Sequence, residues 1–491
     1  MMAAALTLAG MTLGELLGAA AGQHARLQIS DLVMDSRQVT RGAGFVAIGG
    51  GQTHGLAFAS EALARGAAIV IFEPSDAYPD APQPSLAVPG LRQRLGDLAR
   101  AFFGRGEQQS RIAAVTGTNG KTTTAYLIAQ AMGQLDQSCT YIGTLGFGLP
   151  EDLHAHELTT PDCLSLHREI AEIGAARVAL EASSHALEQD RIAGLEIGVA
   201  AFSNLTRDHL DQHGSLERYG AAKARLFKRP ELAAAVINVD DAFGAGLAQR
   251  LRPDVLRVRT SLAGADAELT ARSRSLGLSG LDLDVTGRFG AANLRSRLIG
   301  DFNAENLLLA LGSLLGWDVS MADAAAALAA ATAPPGRMEV IDSRAGQPTV
   351  IVDYAHTPAA LERALAVLRP LTSGAIWCVF GCGGDRDRGK RAAMGAAAAA
   401  GAAHLVITDD NPRQEDPARI VSDIRAGVGA HPDVQVEHAR ALAIEHAVGR
   451  AGPADVVLIA GKGHETYQHA AGRRVAFDDR RAARAALRVR T

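Results

Sequence analysis

Residues Ile112-Ala113-Ala114-Val115-Thr116-Gly117-Thr118-Asn119-Gly120-Lys121-Thr122-Thr123-Thr124 carry an apolar strand into a glycine loop and on into a helix. Tyr126, Leu127, Ala131 and Leu135 then recur at the spacing of one buried helix face. Gly117 and Gly120 permit backbone angles that a side chain resists, so successive N–H groups can turn inward on a phosphate. A helix opening at Lys121-Thr122 adds the positive end of its dipole. Lys121 supplies a mobile charge for terminal phosphates, and the Thr122 hydroxyl suits magnesium. The full pattern G-x-x-x-x-G-K-[ST] asks for glycine where this chain has Val115, so what is present is a shortened G-x-x-G-K-T. The bland alternative is a glycine turn with a chance lysine. A strand before and a helix after favour nucleotide binding.

At 491 residues the chain exceeds one ordinary core. A net charge of −4 argues against a general nucleic-acid binder. The four cysteines, Cys139, Cys163, Cys378 and Cys382, have neither C-x-x-C spacing nor a disulfide pattern, which points to a reducing compartment. Met1 to Gly14 carries no charge, but it lacks a positive leader region, and Glu15 interrupts it well short of a membrane span. A cytoplasmic protein is expected.

The spacing predicts a first unit with strands at Ile29–Val33, Gly44–Gly49 and Ala68–Phe72, a helix at Phe58–Arg65, and a Pro-rich loop over Pro74–Pro89. Asp35-Ser36-Arg37 reads equally as a polar turn or a binding site. In the second unit, Val178-Ala179-Leu180-Glu181 is a short buried strand closed by an acid, where ligands of parallel sheets gather. The run Thr206-Arg207-Asp208-His209-Leu210-Asp211-Gln212-His213 is either a metal site or a polar helix start with Thr206 as cap. Residues 260–298 alternate as antiparallel strands, and helices follow from Asp301 and from Ala322. After Pro334-Pro335, five apolar strands separated by helices predict a second open α/β sheet. Its strands end in Asp353-Tyr354, Gly381-Cys382-Gly383, Asp410-Asn411-Pro412-Arg413 and Gly461-Lys462-Gly463-His464-Glu465, the layout of a working crevice. Gly381-x-Gly383 imitates a dinucleotide fingerprint, but Arg386 holds the third glycine position, so an oxidoreductase is disfavoured.

The phosphate loop, Glu181-Ala182-Ser183-Ser184-His185, Asn204-Leu205-Thr206-Arg207-Asp208-His209 and Gly300-Asp301-Phe302-Asn303 together resemble the Mur ligases, ATP-dependent enzymes that form amide bonds in peptidoglycan precursors. The resemblance covers all three units in order. It implies an α/β protein with a uridine-nucleotide domain at 1–106, a central P-loop domain with a parallel sheet at 107–335, and a Rossmann-like amino-acid domain at 336–491.

By resemblance, Met34, Ser36, Gly51, Gln52 and Thr53 line the uridine site, and Thr159, Thr160, Ser183, Gln189 and Arg191 hold the muramoyl-dipeptide. Gly117, Thr118, Asn119, Gly120, Lys121, Thr122 and Thr123 wrap the ATP phosphates, with Asn303 and Asp353 on the rest of the nucleotide. Thr122, Glu181, His209 and a carbamylated Lys223 hold magnesium, and Lys121, His209 and Lys223 serve catalysis. From the residues alone, Lys223 is an exposed helix lysine. Arg386, Asp410, Asn411, Pro412, Arg413, Gly461 and Glu465 would bind the incoming amino acid; the Asp-Asn-Pro-Arg form implies meso-diaminopimelate rather than lysine. Leu158 stands where relatives place a polar residue, which puts one hydrogen bond to the sugar nucleotide in doubt.

The activity implied is that of a monomer acting on UDP-MurNAc-dipeptide, diaminopimelate and ATP, with no nucleic-acid or membrane partner. The D-glutamyl γ-carboxylate attacks the ATP γ-phosphate, giving an acyl phosphate and ADP, and an amine then displaces phosphate from the acyl carbon. Two anions meet, so catalysis is largely charge neutralisation and positioning. A folylpolyglutamate-synthase-like ligase shares the phosphate loop but gives Asp410–Arg413 no task. A non-catalytic ATP switch has no need of four polar strand ends.

Overall fold

Runs of Val, Ile, Ala and Phe form parallel strands because a strand covered on both faces is apolar at every position. In a computed structural model describing residues 10–50, 53–104, 110–208 and 210–490, such runs build the parallel strands of three sheets. Gly51, Gln52 and His209 lie outside the described residues.

The first sheet has the order Leu32–Val33, Gly44–Ala47, Ile69–Phe72, Ser85–Ala87, all parallel. The expected strand Ile29–Val33 is broken at Ser30-Asp31, and Gln28–Ile29 pairs instead with Met11–Thr12. The expected loop Pro74–Pro89 carries the edge strand Ser85–Ala87; its prolines fall outside the strand, where no ladder bond is lost. The helix foreseen over Phe58–Arg65 is Ala59–Ala64, preceded by a 3₁₀ turn at Gly55–Phe58.

In the second sheet Arg111–Thr116 is central, flanked by Arg177–Glu181 and Ile197–Phe202. Thr140–Gly143 lies outside the former, Ala234–Asn238 and Leu256–Ser261 outside the latter, all parallel. The helix Lys121–Gln134 is buried almost all round, and Leu135 caps it instead of lining its buried face. The core of the first sheet extends onto the helix Cys163–Ile173, with Leu91, Leu95 and Phe102 clustered with Cys163 and Leu164. Gly96 and Gly194 meet so closely that a Cβ on Gly96 would lie 2.5 Å from the Gly194 nitrogen.

Both sheets belong to one unit, which runs through Glu268 and takes back Leu309–Ser320; the other unit is Leu269–Leu308 with the chain from Met321. In that second unit, Leu269–Gly277, Gly280–Gly287 and Gly290–Ser296 pair antiparallel, as the alternation predicts. Helices Asp301–Gly316 and Met321–Ala330 also form as expected.

The third sheet has the order Glu339–Ile341, Thr349–Asp353, Val456–Ala460, Ile376–Phe380, His404–Ile407, Val434–Val436. All but the first strand run parallel. Bringing Val456–Ala460 between two earlier strands puts the 461–465 loop beside those after Asp353 and Phe380. In this unit the edge strand Glu339–Ile341 and the hairpin Tyr467–Ala470/Arg473–Ala476 had no sequence signal strong enough to find. Among the described residues no helix is long and apolar enough to cross a membrane.

Candidate active site

In the first unit the phosphate loop leaves the central strand at Thr116 and turns through Gly117 and Gly120, whose φ values are 150° and 85°. A Cβ on Gly117 would fall 1.9 Å from Ser203 Oγ, so both backbone angle and space demand glycine there. The segment after Ile197–Phe202 holds the loop's outer side. Ser203 Oγ donates to Asn119 O (2.5 Å), Asn119 N to Asn204 Oδ1 (3.0 Å), and Thr206 N to Thr118 Oγ1 (3.0 Å). Thr206 is therefore a clamp on the loop, a role that the cap reading of this run did not foresee. The four-residue helix that follows spans Leu210–His213.

Two lysines converge on this turn. Lys121 Nζ donates to the carbonyls of Gly117 (3.0 Å) and Thr118 (2.9 Å). Lys223 Nζ donates to Gly117 O at 2.7 Å and lies 4.2 Å from the Tyr219 ring centre. Lys223 is only 1% exposed, which corrects the expectation of a surface lysine. Tyr219, Ala222 and Lys223 are buried on the inner face of the helix Leu216–Ala224, and periodicity alone does not reveal what covers that face. Burial, with the Lys121 charge next in importance, pushes the Lys223 amine down to about 6 against a weaker opposite pull from Asp208.

Glu181 closes its strand fully buried, and its carboxylate is held by donors on both oxygens. Tyr141 OH (2.5 Å) and Thr144 N (2.8 Å) donate to Oε1; Thr122 Oγ1 (2.9 Å) and Thr144 Oγ1 (3.2 Å) donate to Oε2. Tyr141 and Thr144 were missed from sequence. Only the sheet order, which sets the strand Thr140–Gly143 beside Arg177–Glu181, brings them to the carboxylate. Thr123 continues the helix start and is buried.

The same carboxylate leads to the group foreseen for the dipeptide. Thr144 Oγ1 lies 3.2 Å from Thr159 Oγ1, and Thr160 Oγ1 donates to Glu181 O at 2.6 Å. Ser183 N donates to Thr160 Oγ1, while Arg191 donates to Thr160 O and to Gln189 Oε1. Thr159, Thr160, Ser183, Gln189 and Arg191 thus form one contiguous cluster. Leu158 is exposed and takes no part in it.

On the first sheet, Ser36 is buried and donates to Glu61, and Met34 packs at the edge of the core. Arg37 bridges from Asp35 to Glu157, which brings the Asp35–Arg37 turn to the segment leading into Thr159. Thr53 is exposed and pairs through its carbonyl with Gly50 N.

In the second unit Asn303 is buried and satisfied locally, donating to Ile299 O and accepting from Asn306. Asp353 accepts from Met338 N and Ala355 N; burial raises its pKa despite the nearby Arg337. Asn411 donates to Glu465 Oε2 (2.8 Å) and accepts from Lys462 Nζ (3.1 Å). A Cβ on Gly461 would lie 2.6 Å from Asp410 Oδ2, so Asp410 sits directly on that glycine. Arg413 takes φ 55° and donates Nη1 to Gly384 O at 2.7 Å. Arg386 is exposed just beyond Gly383. Pro412 O would lie 1.9 Å from a Cβ on Gly384, so the 410–413 segment fills the glycine turn that imitated a dinucleotide site. Of the predicted amino-acid residues, Asp410, Asn411, Pro412, Arg413, Gly461 and Glu465 come together around two adjacent loops, with Arg386 at their margin. Lys462, to which the sequence assigned no role, stands among them.

Residues 28–103, 115–314 and 336–463 match the families described as "Mur ligase family, catalytic domain", "Mur ligase middle domain" and "Mur ligase, glutamate ligase domain". A UDP-N-acetylmuramoyl-L-alanyl-D-glutamate--2,6-diaminopimelate ligase of Xylella fastidiosa (strain Temecula1 / ATCC 700964) is 48% identical over 92% of this chain and 92% of its own length. One of the same name from Xanthomonas campestris pv. campestris (strain 8004) is 49% identical over 95% of each. Among solved structures, a UDP-N-acetylmuramoyl-L-alanyl-D-glutamate--2,6-diaminopimelate ligase superposes with TM-score 0.71 at 38% identity, covering 98% of this chain and 99% of that one.

Proposed function

Because the chain belongs to the Mur ligase family, we propose that it joins 2,6-diaminopimelate to UDP-N-acetylmuramoyl-L-alanyl-D-glutamate, as its relatives are named for doing, and that it takes the meso isomer. The reaction splits ATP to ADP and phosphate through an acyl phosphate, in cytoplasmic peptidoglycan precursor synthesis, and the enzyme acts as a monomer. The observation that carries this is Glu181, bonded to Thr122 of the phosphate loop on one side and continuous with Thr159 and Thr160 on the other. That contiguity is what phosphoryl transfer from ATP to a bound carboxylate requires.

Domains 1–106, 107–335 and 336–491 are assigned to the uridine nucleotide, to ATP and to the amino acid. Met34, Ser36 and Gly51–Thr53 take the uridine end; Thr159, Thr160, Ser183, Gln189 and Arg191 take the dipeptide. The residues present fit magnesium, since Thr122 Oγ1 and Glu181 Oε2 are hard oxygen donors 2.9 Å apart beside a phosphate loop. They would hold the ion together with His209 and the carbamate of Lys223. When bound, magnesium neutralises phosphate charge. Gly117 to Thr123 orient the triphosphate through backbone N–H groups, and Lys121 turns from its own loop's carbonyls to the terminal phosphates. Asn303 and Asp353 serve the rest of the nucleotide.

Phosphate release measured with candidate amino acids in turn tests the substrate assignment. Release above background with meso-diaminopimelate, and little with L-lysine or D-alanine, is expected; preference for lysine would overturn it.

A further inference from the structure

Gly461, Lys462 and Gly463 leave the strand Val456–Ala460 with φ of 117° at Gly461 and 54° at Gly463. These turns fold the loop back, and the side chain between them points inward: Lys462 is 0% exposed. Its ammonium donates to Asn411 Oδ1 at 3.1 Å and to Glu465 Oε2 at 3.0 Å. A second donor, His469 N, reaches the same Asn411 oxygen at 2.9 Å. Two donors on one side fix the amide's sense, so Asn411 Nδ2 must face Glu465, where it donates to Oε2 at 2.8 Å. Glu465 Oε2 therefore has two donors, while Oε1 takes no hydrogen bond among the described residues; the carboxylate is part-exposed.

We propose that Lys462 is the positioning residue of the amino-acid site, holding Asn411 and Glu465 in one orientation so that only Glu465 Oε1 faces the incoming amino acid. This rests on the ligase assignment above. The consequence is a choice of ligand chemistry. A single free carboxylate oxygen suits the point charge of an ammonium, whereas a guanidinium fork needs both oxygens. Removal of the Lys462 ammonium leaves both Glu465 Oε2 and the buried Asn411 oxygen with one donor fewer.

The test is Lys462→Met and Asn411→Ala, singly and together, in the full-length protein. With ATP and the UDP-dipeptide saturating, Lys462→Met is expected to raise KM for meso-diaminopimelate by about 10- to 100-fold. The KM values for ATP and the dipeptide should stay within about twofold, and the double variant should be no worse than the worse single one. A uniform rise in all three KM values, or additive effects, would overturn the proposal. A crystal structure of Lys462→Met gives an arm independent of turnover, in which Asn411 and Glu465 should lose their mutual bond. Unmoved side chains would overturn the proposal whatever the substrate. A parent enzyme with no diaminopimelate-dependent turnover, beside a variant whose loop has moved, would instead count against the ligase assignment.

Discussion

Lys223→Ala is expected to lower turnover by about 10²–10³-fold, the scale of losing a preorganised charged group at a reacting centre. Lys223 Nζ reaches the phosphate loop at Gly117 O, is 1% exposed, and has its pKa depressed to about 6. Above that pH the amine is neutral, the form that adds carbon dioxide to give an anionic carbamate. A protein prepared with ¹³C-labelled bicarbonate should show a carbamate carbon signal by NMR, absent from Lys223→Ala. Activity in carbon-dioxide-depleted buffer should fall and return with bicarbonate. Full activity of the variant, or no such signal, would return Lys223 to a structural role. The same depression has a consequence for folding in the uncarbamylated protein. Between about pH 6 and the ordinary lysine value of 10.5, the unfolded chain binds a proton here that the folded one does not. Lys223 therefore makes stability rise with pH across that window and fall toward pH 6, below which its effect is constant.

Arg413→Ala is expected to abolish the preference for meso-diaminopimelate over L-lysine. The two amino acids differ by one distal carboxylate, for which a guanidinium is the natural partner. Arg413 Nη1 is already held by Gly384 O, while Nε and Nη2 take no hydrogen bond among the described residues. The side chain is half-buried, so with lysine bound it stays partly wet instead of stranded in a dry site. The discrimination is therefore about 1.5–3 kcal/mol, roughly 10- to 100-fold in kcat/KM. Steady-state kinetics with both amino acids, in parent and variant, measure it. An equal loss with both would assign Arg413 to shaping the 410–413 turn, where its φ of 55° is unusual for a side-chain-bearing residue.

How much of this was legible depended on whether a residue's role is local. The phosphate loop declared itself because strand, glycines, lysine and helix are consecutive, and the φ values of Gly117 and Gly120 bear out the turn. Strands such as Arg177–Glu181 and Val456–Ala460 were legible because burial on both faces leaves apolar runs, whereas the parallel strand Leu256–Ser261, interrupted by Arg257 and Arg259, was not. Lys223 was not, because one helical lysine looks the same whether its face meets water or a loop 106 residues away in sequence. Tyr141 and Thr144 were hidden for the same reason: what brings them to Glu181 is the sheet order, which places Thr140–Gly143 beside Arg177–Glu181. The edge strand Ser85–Ala87 was masked by its flanking prolines. Lys462 lies between two glycines in a polar strand end, and only its burial gives it a task.

Nucleotide product and substrate requirement, measured together, test the central claim most directly. With ATP, magnesium, UDP-N-acetylmuramoyl-L-alanyl-D-glutamate and meso-diaminopimelate, ADP and phosphate should form in equal amounts with the UDP-tripeptide. Omission of the dipeptide should stop ATP cleavage. Formation of AMP and pyrophosphate, or ATP cleavage at the full rate without the dipeptide, would contradict an acyl-phosphate ligase.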